Sequence, residues 1–154
     1  MGTSIVPALR RALRLTLETA APGVRVIAGP QITDDPSDVI LVGVRDPYAF
    51  SPPPGIETTQ AVATMATTRP RDEVVTVWLT VLVRAGDMDV DALYDRAFEH
   101  VAAIEAAVRA LGIPFLAIPG AYAAEVGGME CTDDQDDYGA WVSVSFPITV
   151  KARI

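Results

Sequence analysis

The chain is poor in the residues that most chemistry needs. It holds one cysteine, Cys131, one histidine, His100, a single lysine, Lys151, and no asparagine. A lone cysteine cannot close a disulfide within the chain, which fits a reducing cytoplasm. No basic neighbour in sequence lowers the pKa of Cys131. A triad around His100 would need a nucleophile and an orienting acid, and no G-x-S-x-G elbow occurs. Phosphate-loop, G-x-G-x-x-G and C-x-x-C patterns are all missing. No apolar run approaches the roughly 18 residues that span a membrane. The N-terminus also lacks the charged, apolar, small-residue order of a signal peptide. These absences point away from an enzyme, a cofactor carrier and a membrane protein. The eleven arginines against one lysine suggest a GC-rich genome and nothing about function.

What is present describes a globular chain. Its 154 residues are half hydrophobic, enough to bury a real core, and we read 1–154 as one domain. The net charge of −8 argues against a protein whose main task is to track a nucleic-acid backbone. An acidic surface also keeps a protein soluble, the simpler meaning of the same number.

Residues 69–111 organise the rest. Residues 73–83, EVVTVWLTVLV, are dense in β-branched side chains and predict a long strand. Val75, Val77, Leu79, Val81 and Val83 give it one aliphatic face. Val74, Thr76, Trp78, Thr80 and Leu82 make a mixed second face. After Gly86 the apolar period lengthens: Val90, Tyr94, Ala97, Val101, Ile104, Val108 and Leu111 recur at steps of four and three. Asp89 is a suitable N-cap, Gly112 a C′ residue, and Pro114 a stop, so a helix is expected over about residues 89–111.

Before this frame, Pro7 opens a helix over about residues 8–20. Leu9, Ala12, Leu13, Thr16, Leu17 and Ala20 lie on one face, with Arg10, Arg11 and Arg14 near the other. The arginines form a solvated or subunit-facing side rather than a nucleic-acid patch, given the acidic remainder. Residues 24–28 and 38–44 read as short strands. The stretch RDPYAFSPPPG, 45–55, is a surface loop, since three successive prolines cannot enter a sheet interior. Tyr48 and Phe50 in it suit either a neighbouring chain or a local anchor. Residues 56–67 are read as a strand that turns through Arg69-Pro70-Arg71-Asp72 into the long strand, making a hairpin.

Beyond the helix, residues 121–129 read as a strand kinked at Gly127-Gly128. The acidic loop CTDDQDD follows, then a last strand, AWVSVSFPITVKA, 140–152. Pro147 has no N–H to donate, which places that strand at an edge or at a bulge. Asp133, Asp134, Asp136 and Asp137 are hard-cation ligand types, but the EF-hand order fails at Gln135 and Tyr138, so no metal is assigned. A solvated acidic turn is the plain reading. The only tryptophans, Trp78 and Trp141, both sit on Ser/Thr-rich strand faces. Such a face suits burial against another chain, or cover by the helix at 8–20.

The order of elements carries a resemblance. An N-terminal helix and two short strands precede TTQAVATMATTRPRDEVVTVWLTVLV. The long helix with RAFEHVAAIEAAV follows, and YGAWVSVSFPITVKARI closes the chain. Together these resemble the tail terminator (tail completion) proteins of long-tailed phages, the lambda-like and related groups. The Arg71-Asp72-Glu73 run leading into the β-branched strand is the most telling piece. The proline-rich loop at 45–55 is not part of that pattern.

The resemblance implies an α+β subunit, a mostly antiparallel sheet flanked by an N-terminal helix and one long central helix. It implies hexameric rings at the head-proximal end of the virion tail, assembled in the host cytoplasm. Such rings cap the tail tube, end its polymerisation and meet the head connector, without catalysis or a cofactor. The expected partners are other copies of the chain, the tail tube protein and the head–tail connector protein, with DNA only passing through and no membrane. Arg69, Arg71, Asp72, Glu73, Trp78 and Trp141 are the expected interface residues. Asp133, Asp134, Asp136 and Asp137 would line the lumen or axial surface. A head–tail connector or neck protein of the same particle is the nearest alternative, and a cytoplasmic small-ligand-binding α/β module the most distant.

Overall fold

A computed structural model describes residues 3–29, 38–62, 70–86, 89–110, 117–137 and 139–154. The elements in order are α1 (Val6–Ala20), β1 (Arg25–Ala28), β2 (Val39–Val42), β3 (Ile56–Val62), β4 (Arg71–Ala85), α2 (Val90–Ala110), β5 (Ala121–Val126), β6 (Glu130–Asp136) and β7 (Gly139–Arg153). The fold is α+β: among the described residues, two helices and a seven-stranded sheet that is antiparallel except where β1 pairs β2.

Two 15-residue strands, β4 and β7, form the centre and pair from Asp72–Arg153 to Ala85–Ala140. Each is longer than its outer partners, so each takes two. Along β4, β3 pairs residues 71–77 and β2 pairs 79–82. Along β7, β6 pairs residues 139–145 and β5 pairs 148–152. Half of the sheet is therefore the row β1-β2-β4-β7-β6. The other half is β3-β4-β7-β5.

The alternation read in the sequence puts Val75, Val77, Leu79, Val81 and Val83 on one face together with Val142, Val144, Phe146, Ile148 and Val150, all fully buried. Both helices cover this face. Leu9, Leu13 and Leu17 of α1 and Leu93, Ala97, Val101, Ile104 and Val108 of α2 join the same core. Each fully buried leucine contributes about 1.5–3 kcal/mol in transfer free energy. In α2, Leu93 takes the central place expected of Val90 and Tyr94, which stand at the margin. Asp89 caps α2 as expected, its Oδ1 accepting from Ala92 N at 3.1 Å. Leu111, Gly112 and Pro114 lie outside the described residues.

Several expectations need correcting. Arg71 and Asp72 do not form the turn of the first hairpin; they begin β4, paired with Val62 and Ala61. Arg69 and the rest of 63–69 lie outside the described residues. The acidic stretch is not a loop, because residues 130–136 form strand β6 on β7. Carboxylates are poor strand formers, but here the long partner β7 supplies the hydrogen bonds that hold them extended. Nor is β7 an edge strand. Its Pro147 sits in the gap where β6 ends and β5 begins, with Gly127 N donating to its carbonyl at 2.9 Å. The missing N–H therefore leaves no ladder bond unmade.

Candidate interface surfaces

The second face of the sheet is covered from within the chain, by the proline-rich loop and not by α1. Val44 starts the loop against Thr80, whose hydroxyl donates to the Val44 carbonyl at 2.8 Å. Thr80 Oγ1 also shares a 2.8 Å hydrogen bond with Ser145 Oγ, which accepts from Asp46 N at 3.4 Å. The buried hydroxyls on this face thus satisfy the Val44 carbonyl and the Asp46 N–H of the loop.

Both tryptophans take part in the same seam. The Arg45 guanidinium lies over the Trp78 ring, 3.9 Å from its centroid, a cation–π contact. Arg45 also grips Glu130 of β6 in a two-pronged pair, Nη2 to Oε1 at 2.7 Å and Nε to Oε2 at 3.3 Å. That hydrogen bond holds the Glu130 carboxyl below its ordinary range and raises Arg45. Tyr48 stacks on Trp141 with centroids 4.5 Å apart, and its hydroxyl accepts from Arg84. Trp78 and Trp141 are consequently buried without any partner chain. Whatever part they take in an interface passes through the loop above them. Phe50, at the loop's tip, is fully exposed.

Among the other expected interface residues, Glu73 is the one the structure places elsewhere. It is fully buried at the start of β4. Its carboxylate accepts from Ser4 Oγ (2.5 Å), Ile5 N (2.8 Å), Thr58 Oγ1 (2.9 Å) and Gln60 Nε2 (3.2 Å). Burial pushes this carboxyl up, but the four donors outweigh it and leave the group below its ordinary value. Ile5 is the N-cap residue of α1 and has no capping side chain of its own, so Glu73 supplies the negative charge for that helix end. Glu73 ties the N-terminus to the sheet. Its neighbours remain outside: Arg71 is exposed and donates to Gln60 Oε1 at 3.1 Å, and Asp72 pairs with Arg153 at 3.0 Å across β4 and β7.

The four aspartates separate along β6 and the turn that follows it. Asp133 faces α2 and accepts from Tyr94 Oη at 2.7 Å, a bond that raises the phenol to about 12. Asp134 points to the other side, its Oδ1 taking the N–H of Gln135 at 2.8 Å. Asp137 is exposed in the turn, and the side chain of Asp136 lies outside the described residues. Among the described residues, no three His, Cys, Asp or Glu side chains stand together as metal ligands.

Sequence reading also missed a cluster beside β2. Asp38 accepts from Arg96 Nη2 at 3.0 Å with one oxygen and contacts His100 Nε2 at 2.9 Å with the other. This is an anchor from α2 to the sheet; its only sequence signal is the four-residue spacing of Arg96 and His100. Cys131 is exposed, and the partial desolvation of its sulfur raises the thiol's pKa rather than activating it. No helix among the described residues is long and apolar enough to cross a membrane.

Comparison with known proteins turns on this architecture. No family model matches the sequence, and no curated protein does. Among solved structures the chain is similar to one from the virion of a native gene transfer agent (GTA) particle. The TM-score is 0.60 at 12% sequence identity, over 99% of this chain and 100% of that one. The two share a fold. At that identity the likeness is one of architecture, and it spans both chains essentially end to end.

Proposed function

We propose that this chain is a structural protein of a phage-like virion, one that forms a ring, a hexamer, on the end of the tail tube. There it ends tube polymerisation and offers the surface that joins the tail to the head connector. The observation that carries this reading is the end-to-end likeness to a virion chain. It is supported by the resemblance of residues 58–83, 96–108 and 138–154 to tail terminators, and by side chains committed to structure. His100 is hydrogen-bonded to Asp38, and Glu73 caps a helix. No catalytic role is proposed.

Within this reading, Arg71 and Asp72 at the outer end of β4 and Phe50 on the loop are the contact residues. The loop at 45–55, held by Arg45, Tyr48 and Thr80, is a stiff surface rather than a tether.

The test is a tube-assembly assay. Purified tail tube protein from the same particle is polymerised with and without this chain, and tube lengths are measured by electron microscopy. Shorter tubes with ring density at one end are expected. Unchanged lengths and bare ends would overturn the terminator reading, and binding only to the connector would transfer the chain to the neck.

A further inference from the structure

One charged surface has no use so far. On the outer side of α1, Pro7, Arg10, Arg11 and Arg14 line, with Ala28 of β1, a pocket of about 260 Å³. Arg14 is partly engaged by Glu18, 3.6 Å away in an exposed pair. Arg10 and Arg11 make no ion pair among the described residues, and Arg10 Nε is buried without a hydrogen-bond partner. Three of the eleven arginines of a chain with net charge −8 thus gather around one concavity. A buried guanidinium nitrogen without a partner, set beside two exposed guanidinium groups at a concave surface, calls for anionic oxygens.

The matching surface lies on the far side of the same row of strands. Register runs Arg25, Val39, Leu82, Ser143, Thr132 across β1, β2, β4, β7 and β6. The arginine pocket borders the β1 edge and the carboxylates of β6 form the other, four strand spacings or about 19 Å away. Asp134 and Asp137 are exposed there and make no ion pair among the described residues. The outer side of β6 pairs with no strand among the described residues. Patches at opposite edges cannot meet within one chain, but they can meet between copies.

We infer that the pocket of Arg10, Arg11 and Arg14 receives the Asp134–Asp137 end of β6 from a second copy. The contact is head to tail: each copy gives one edge and takes with the other, so it propagates and closes only if the rotation per copy closes. It assigns the acidic strand to the joint between subunits in place of the lumen. The proposal deepens the ring reading and rests on it only for the number of copies that close. Charge complementarity of this kind sets register and partner choice and is screened by salt.

The experiment uses the full chain and two charge reversals, R11E/R14E and D134R/D137R, alone and combined. All four positions are exposed, and circular dichroism with thermal melts confirms that each variant folds. Mass is followed by light scattering over protein concentration at about 50 mM and about 500 mM NaCl. The native chain is expected to self-associate, with an apparent Kd at least roughly tenfold weaker at the higher salt. Each reversal alone should weaken it similarly, and the combined variant should restore it. If the combined variant stays as weak as either parent, or if the single reversals associate like the native chain, the contact is overturned. The ring reading survives both results. A native chain that stays monomeric at both salts also overturns the contact, while the tube-assembly assay judges the ring reading separately. Binding of a short DNA duplex, lost in R11E/R14E with the mass unchanged, would assign the pocket to phosphates instead.

Discussion

Trp78 of β4 and Pro147 of β7 face each other across the centre of the sheet, and both outer flanks change strands at that pair. On one side Trp78 N donates to Gly55 O at 2.8 Å, while its carbonyl accepts from Gly43 and Val44. On the other side Pro147 O accepts from Gly127 N. The backbone bonds of this pair point outward to both seams. One cross-strand position thus closes the gap between β3 and β2 and the gap between β5 and β6.

Such seams tolerate little volume. A Cβ on Gly55 would stand 1.9 Å from the Gly43 carbonyl oxygen, whereas one on Gly86 would meet nothing within 4 Å. Gly55→Ala should therefore cost about 2–3 kcal/mol, as overpacking does. Gly86→Ala should stay within about 0.5 kcal/mol. Urea midpoints of the two variants, at equal m-values, check the contrast.

Glu73 makes stability depend on acid. Its folded pKa lies below the ordinary 4.5, so its contribution is complete above the unfolded value and is lost as pH falls through the lowered folded value. Glu73→Gln should be less stable at pH 7 by about 1–3 kcal/mol, because the amide keeps one acceptor oxygen and its NH2 can only donate, so the donors now shared between Oε1 and Oε2 cannot all be satisfied. The difference from the native chain should begin to shrink as pH falls below about 4.5 and vanish once pH has passed the lowered folded value, where the native carboxyl is also neutral. Melting temperatures of both proteins from pH 7 to pH 3 test this; parallel curves would count against it.

The seam beneath the loop can be watched by fluorescence. Trp78 and Trp141 are the only tryptophans, and each is covered by a loop residue, Arg45 or Tyr48. Arg45→Ala should shift emission to the red and admit acrylamide, because it removes both the cover of Trp78 and the clasp on Glu130. Phe50→Ala should leave the spectrum unchanged, since Phe50 is fully exposed.

Thr80 tests the polar half of that seam. Its hydroxyl is buried between Val44 O and Ser145 Oγ. Thr80→Val keeps the shape, takes the hydroxyl donor from the Val44 carbonyl and leaves Ser145 Oγ with Asp46 N alone, at an expected cost of about 1–3 kcal/mol by chemical denaturation.

The long elements were legible because period alone specifies them. Alternation over 73–83 and 140–152 and the four-three steps of α2 need no knowledge of neighbours. The short acidic strand was not legible. Its residues have low strand propensity, and only pairing with β7 extends them. Pro147 announced a missing donor but not the direction in which that donor would point. Glu73 looked like a surface charge because its four donors come from Ser4, Ile5, Thr58 and Gln60, two of them far away in sequence. The cover over Trp78 and Trp141 was half visible. A Ser/Thr face bearing tryptophan called for a partner, and the loop carrying Arg45 and Tyr48 was read as surface. What sequence could not supply was that the two belong together.

The pairing of β4 with β7 also has a consequence for synthesis. Asp72 and Arg153 meet although they are 81 positions apart. While the intervening segment is being translated, β4 has its hairpin partner β3 and the helix that follows, but one long flank bare. Contacts this distant close slowly, and an unpaired aliphatic strand is what chaperones recognise and what aggregates. Expression yield should therefore respond to growth temperature and to chaperone supply more than the stability of the finished fold would suggest.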